Sequence, residues 1–271
     1  MEPVMQRRQF LAGLSLFPVL PWVAHAAEGS ELTIGIYPGT GKADIFMDDF
    51  RAAAMPFAQA LGAALGLEPK LTLFRTIKTT LKSLDKGRLD LYFVPPSVAV
   101  SVLDSGFSPV ARVKDQATGV MVRRKGVAIQ AIAMTEKESW LDVMGRYTAK
   151  RNNAGNAKIL NFKTQDDVTI ALERNHVQAG SLRSKAAEAL IAKGDFEIWA
   201  PLPNTPDFTL MASDRMSEGE RNKIGAAAVA LRPDAIASLQ KTIHSKVTGF
   251  VIDKEADYKI IKTAIKEAGY E

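Results

Sequence analysis

The strongest constraint on this chain is an apolar periodicity that switches repeatedly between two values. Residues 32–36 alternate at period two and read as a strand. They run into Tyr37-Pro38-Gly39-Thr40-Gly41, a loop rich in turn formers. Phe46, Phe50, Ala54, Phe57, Leu61 and Leu65 then recur at spacings of three and four, which predicts a helix closed by Gly66. Residues 70–74 read as a strand. Ile77, Leu81 and Leu84 mark a short helix stopped by Gly87, and residues 89–94 form a strongly apolar strand that breaks at Pro95-Pro96. Ser97 reads as the N-cap of the next helix. Strands separated by helices of this length pair in parallel through right-handed crossovers, so the expected class is α/β.

The second half repeats the scheme. Residues 128–134, 158–162 and 177–182 read as strands, and Trp140, Met144 and Tyr147 give a helical stripe. Thr164 followed by Asp167 is a capping signal, and residues 185–193 form a helix closed by Gly194. Lys86-Gly87-Arg88-Leu89-Asp90-Leu91 aligns with Arg174-Asn175-His176-Val177-Gln178-Ala179. In each, a helix ends at a residue that tolerates the left-handed conformation and an apolar strand follows. This suggests two lobes on one plan. Residues 119–123 and 208–212 look like crossings between them. The rest reads as helical: a capping box at Ser217 and Glu220, then Ile236, Leu239 and Ile243, then Ile261 and Ile265.

The first 26 residues stand apart. Arg7-Arg8-Gln9-Phe10-Leu11 opens an apolar stretch that ends in Ala24-His25-Ala26. That order is a basic region, a short apolar region and a small-x-small cleavage site. The arginine pair resembles the twin-arginine export signal. The expected mature chain begins at residue 27 and works in the periplasm. Losing Arg7, Arg8 and Glu2 takes the net charge from +5 to +4. This mild excess suits an anionic ligand, and without a dense basic run nucleic acid is not an expected partner. The chain has no cysteine, so its core must form without disulfides and no thiolate chemistry is open to it. No later stretch reaches membrane-spanning length.

The order of these elements resembles the periplasmic solute-binding proteins of ABC transporters, within them the phosphonate/phosphite-binding family. The residues that carry it are Ile34-Gly35-Ile36-Tyr37-Pro38; Gly87, Asp90, Phe93, Pro96 and Ser97; Pro109-Val110-Ala111-Arg112-Val113; Val177-Gln178-Ala179-Gly180-Ser181; Asn204-Thr205-Pro206-Asp207-Phe208; and Gly249-Phe250-Val251 before Tyr258. Where phosphonate binders carry a Ser-Thr-Ser-Gly turn, this chain has Met134-Thr135-Glu136-Lys137-Glu138-Ser139. The resemblance implies a type II periplasmic binding protein fold: two lobes, each a mainly parallel sheet flanked by helices, joined by a two-strand hinge. The lobes are expected at 27–118 plus 213–271, and at 119–212. It implies a monomer that captures a small, phosphonate- or phosphite-like anion between the lobes for an ABC transporter permease. With no cysteine and no histidine pair at ligand spacing, no metal or cofactor is expected.

In open α/β sheets ligands sit at the carboxyl ends of the strands, where helix N-termini suit an anion. The candidates there are Tyr37, Thr40, Arg75, Thr76, Pro96, Ser97, Thr135, Ser139, Ser181 and Arg183. Tyr37 either lines the cleft or packs on the core. Ser97 is a ligand donor, a helix cap, or both. Arg75 reaches the cleft or lies in solvent. Arg183 clamps an oxyanion with two parallel bonds or pairs with Glu188.

An enzyme is the weaker reading. The sequence after residue 26 holds two histidines, His176 and His244, and no nucleophile elbow, zinc-protease motif or phosphate loop. Asp48-Asp49 and Asp166-Asp167 read as helix-dipole partners in first helical turns. A sensor or accessory protein of a membrane complex on the same fold stays open.

Overall fold

The computed structural model describes residues 31–39, 46–241, 243 and 245–270. The export signal, Thr40 and His244 lie outside the described residues. Among the described residues, the first unit is β1 (Glu31–Ile36), α1 (Met47–Leu65), β2 (Glu68–Leu73), α2 (Ile77–Leu84), β3 (Leu91–Val94), α3 (Pro96–Leu103) and β4 (Phe107–Val113). The second is β5 (Gly119–Arg124), β6 (Ala131–Met134), α4 (Trp140–Arg151), β7 (Lys158–Asn161), α5 (Gln165–Glu173), β8 (Ala179–Arg183), α6 (Ser184–Ile191) and β9 (Phe196–Pro201). The chain then returns through β10 (Thr209–Ser213), α7 (Glu218–Val229), α8 (Pro233–Gln240), β11 (Phe250–Ile252) and α9 (Lys259–Ala268).

Two sheets form, ordered β11-β4-β10-β3-β1-β2 and β7-β6-β8-β5-β9. The β2-β1-β3 and β7-β6-β8 cores are parallel, as strand-helix-strand units require. The remaining pairs are antiparallel: β10 crosses back from the other unit to run against β3 and β4, β11 runs against β4, and β5 enters the second sheet against β8 and β9. The sheets are therefore mixed.

Several local expectations shift. Residues 208–212 do not form a crossing. Thr209–Ser213 is fully buried between β3 and β4, so the expected boundary at 212/213 falls inside a strand of the first sheet. An apolar run bounded by turns looks alike in either role; its burial on both faces marks it as a central strand. The return crossing is instead 202–208, where Ala117 bridges Thr205 and the Leu202 N–H donates to the Gly119 carbonyl at 2.9 Å. Residues 119–123 are likewise a strand, paired with β8 and β9. Ser97 is not a cap. Pro95 holds that place and Pro96 opens α3, since proline suits the first helical position. The Thr164–Asp167 and Ser217–Glu220 capping boxes both form.

Each unit has its own core. In the first, Phe57 on α1 is buried against Phe93 and Phe250 at ring distances of 5.1 and 5.8 Å. In the second, Val168, Leu172, Leu182 and Phe196 bury α5 and α6 on the sheet. No helix among the described residues is long and apolar enough to cross a membrane.

Candidate functional site

The carboxyl ends of the parallel strands in both sheets face one cavity. β1 ends at Tyr37-Pro38-Gly39, β3 at Pro95 and Ser97, and β8 at Arg183, and all of these line it. From the second unit come Ser139, Trp140 and Leu141 at the start of α4, and Gln165, the first residue of α5. Phe208 and Ser245 complete the wall with Ile77. Gly39 sits at φ 83, a left-handed conformation that glycine adopts without penalty, and a Cβ there would lie 3.3 Å from the Phe208 ring. The cavity measures about 40 Å³. A water needs about 10–15 Å³ by this measure, so the space suits a compact solute of a few heavy atoms.

Its most informative property is unmet hydrogen-bonding capacity. Six buried side-chain polar atoms among the described residues lack a hydrogen-bond partner. Three of them, Tyr37 Oη, Ser97 Oγ and Ser245 Oγ, belong to residues lining this cavity. An orphaned buried hydroxyl costs about 1–3 kcal/mol, so three at one place mark where a ligand or water completes the structure. All three come from the first unit. Tyr37 both packs on the core, against residues such as Phe74, Tyr92 and Val98, and presents its hydroxyl here. Burial, helped by the Glu136 carboxylate, pushes its phenol far above the usual range, so it stays protonated and can donate.

Helix ends add positive potential. α3 has no side-chain cap. Its first-turn N–H groups therefore have no acceptor within the helix. α4 and α5 also open at the cavity, and an anion there gains from the dipole and the free amides. These two helices are already capped: Ser139 accepts from Asp142 N–H, and Thr164 from Asp167 N–H.

Arg183 lines the cavity, but its charge is committed. Nη1 and Nη2 lie 3.3 and 3.2 Å from the two Asp207 oxygens, and the guanidinium stacks 4.4 Å from the Trp140 ring. Its carboxylate partner is Asp207, nearly buried on the return crossing, rather than Glu188. Trp140 Nε1–H donates to Thr205 Oγ1 at 2.8 Å, so the Trp140–Arg183 pair ties the second unit to that crossing.

Of the sequence-derived candidates, Tyr37, Ser97, Ser139 and Arg183 meet at the cavity. The other described candidates do not line it. Arg75 is exposed, and Thr76 caps α2 through the Thr79 N–H at 3.1 Å. Pro96 is buried in the first turn of α3. Thr135 bonds Ser139 at 2.7 Å from behind, and Ser181 donates to the Leu141 carbonyl at 2.9 Å, bracing α4. Sequence reasoning missed Gln165, Trp140 and Ser245. Gln165 was within reach, since it follows the Thr164 cap at a strand-to-helix loop. Ser245 carried no signal, lying in a polar stretch far from the parallel strands.

A family model for the periplasmic substrate-binding protein of phosphonate ABC transporters matches residues 47–258. Solved structures align over most of the chain. The methylphosphonate complex of PhnD1 from Prochlorococcus marinus has TM-score 0.67 and 16% identity, covering 89% of this chain and 99% of its own. XAC2383 from Xanthomonas citri bound to chloride has TM-score 0.70 and 14% identity, covering 89% and 98%. The aliphatic sulphonate binding protein SsuA from Escherichia coli has TM-score 0.55 and 15% identity, covering 89% and 86%. At these identities the structures share the fold. No curated protein matches the sequence.

Proposed function

This chain belongs to the family of periplasmic substrate-binding proteins of phosphonate ABC transporters, and on that premise we propose that it captures a compact oxyanion of the phosphonate or phosphite class between its lobes for delivery to a permease. The lobes are taken as 27–118 with 209–271, and 119–208, following the strands of each sheet. The observation that carries the reading is the set of three orphaned hydroxyls, Tyr37, Ser97 and Ser245, beside the uncapped start of α3. Hydroxyls and backbone amides donate to oxyanion oxygens without needing a fixed cation. That matters because Arg183 is already neutralised by Asp207.

The protein acts by binding rather than catalysis. Among the described residues lining the cavity there is no histidine, cysteine or carboxylate, and His176 is exposed. A positioned base and nucleophile are what an enzyme site would need. Export through residues 1–26 would bring the folded binding protein to the periplasm.

The test is calorimetry of residues 27–271 against methylphosphonate, phosphite, phosphate, methanesulfonate and small carboxylates, beside neutral and cationic solutes. Binding of a phosphorus oxyanion supports the reading. Binding of a neutral or cationic solute alone overturns the ligand class.

A further inference from the structure

The end of the chain reaches back to the ligand cavity. α9 lies across both lobes: Ile261 is buried with the first-lobe core, while Ala264, with Ile260, Ile265 and Tyr270, packs in the second. Gly269, at φ 80, ends the helix and turns Tyr270 toward α4. There Tyr270 Oη–H donates to Asp142 Oδ2 at 2.5 Å.

Asp142 has a fully buried side chain in the first turn of α4. It accepts three more bonds: from Arg146 Nε at 2.9 Å, Asn161 Nδ2 at 2.7 Å, and the Glu138 backbone N–H at 3.1 Å. The last one reaches the ligand wall. Glu138 sits at φ 67, a left-handed conformation that costs a non-glycine residue about 1–3 kcal/mol and persists only where its surroundings hold it. Ser139, the next residue, caps α4 and lines the ligand cavity. A second cavity of about 30 Å³ lies beside the first. Glu138 and Tyr270 line it, and it shares Ile77 and Ser97 with the ligand cavity.

We propose that Tyr270 is a positioning residue for the ligand site: through Asp142 it holds Glu138 in its left-handed turn and so fixes the start of α4 against the ligand. The inference rests on the site assigned under the proposed function, but one of its tests needs no ligand. Burial and the Asp142 carboxylate both push the Tyr270 phenol upward, so it remains a donor across the working pH range.

The experiment compares the mature protein with Tyr270→Phe, which keeps the ring, and with Glu267→Gln. Glu267 lies on α9, in the turn before Tyr270, and pairs with Arg151 at the surface. Amide hydrogen exchange is followed in the ligand-free proteins, and methylphosphonate affinity is measured by calorimetry. Tyr270→Phe is expected to speed exchange across residues 138–142 by about tenfold, to leave the strands of both sheets unchanged, and to weaken methylphosphonate about three- to tenfold. Glu267→Gln is expected to do neither. The proposal falls if exchange at 138–142 stays as in the wild type. It also falls if exchange rises equally across the second lobe, if Glu267→Gln reproduces the effect, or if the turn loosens while a wild-type affinity persists. If wild type binds none of the oxyanions, the proposed function fails, and the exchange arm still decides whether Tyr270 holds the turn.

Discussion

The two lobes meet the same cavity with opposite hydrogen-bonding states. The first presents donors with nothing to donate to: Tyr37, Ser97 and Ser245, with the uncapped α3 behind them. The second presents groups whose partners are already chosen. Ser139 and Thr164 cap their helices, the Gln165 side-chain oxygen accepts from the Arg183 N–H at 2.9 Å, and Arg183 grips Asp207. The difference teaches that removing a group from one lobe should not have the same sign as removing one from the other. In the first lobe an orphaned hydroxyl is a cost until ligand arrives. In the second each polar group contributes to the fold whether or not ligand is present.

Arg183→Ala should break this contrast most visibly. It leaves Asp207 nearly buried and unpaired, and strips the cation from Trp140. Arg183 keeps some exposure, so the loss should fall near the lower end of the ~3–5 kcal/mol typical of a broken buried pair. Urea unfolding of the ligand-free protein measures it, and a change below ~1 kcal/mol would make this an ordinary surface pair.

Removing the cap with Thr164→Ala should cost about 1 kcal/mol of stability. The same unfolding curve reads it. An equal loss from Ser97→Ala would erase the distinction between the lobes.

Ser97→Ala and Ser245→Ala should instead do two opposite things. Ligand-free stability should hold or rise by up to ~1 kcal/mol, because an unsatisfied buried hydroxyl is gone, while oxyanion affinity falls about five- to tenfold. Tyr37→Phe should behave alike. Calorimetry and thermal unfolding on the same samples would check this; if both quantities fall together, these hydroxyls are structural.

The smallest effect concerns Glu136. Burial, then the Glu138 carboxylate, raises its pKa, opposed by Lys163. The folded protein therefore keeps this proton at a pH where the unfolded chain has lost it. Stability contributed here declines as pH rises above the ordinary glutamate range. Glu136→Gln should flatten that part of the pH profile, and an unchanged profile would remove Glu136 from the account.

Much of this architecture was legible before any coordinates. Period-two and period-3.6 apolar runs mark β1, α1, β3 and β8, because a strand or a helix buries one face of its own local sequence. Thr164 and Ser217 announce helix starts because a cap reaches only three residues. Tyr37, Ser97, Ser139 and Arg183 were accessible for a similar reason: the ends of parallel strands are where an α/β sheet opens. What stayed hidden depends on pairs far apart in the chain. Nothing near residue 183 names Asp207 as its partner rather than Glu188, and nothing near residue 142 points to Tyr270 at the chain's end. The 208–212 run could be read as a crossing until the neighbours of Thr209–Ser213, β3 and β4, were known. Local sequence determined which segments are strands and helices, since those choices are settled by contacts a few residues away. The tertiary structure alone decided which charges cancel and which hydroxyls go unpaired, because these follow from the order in which distant strands and helices pack around one cavity.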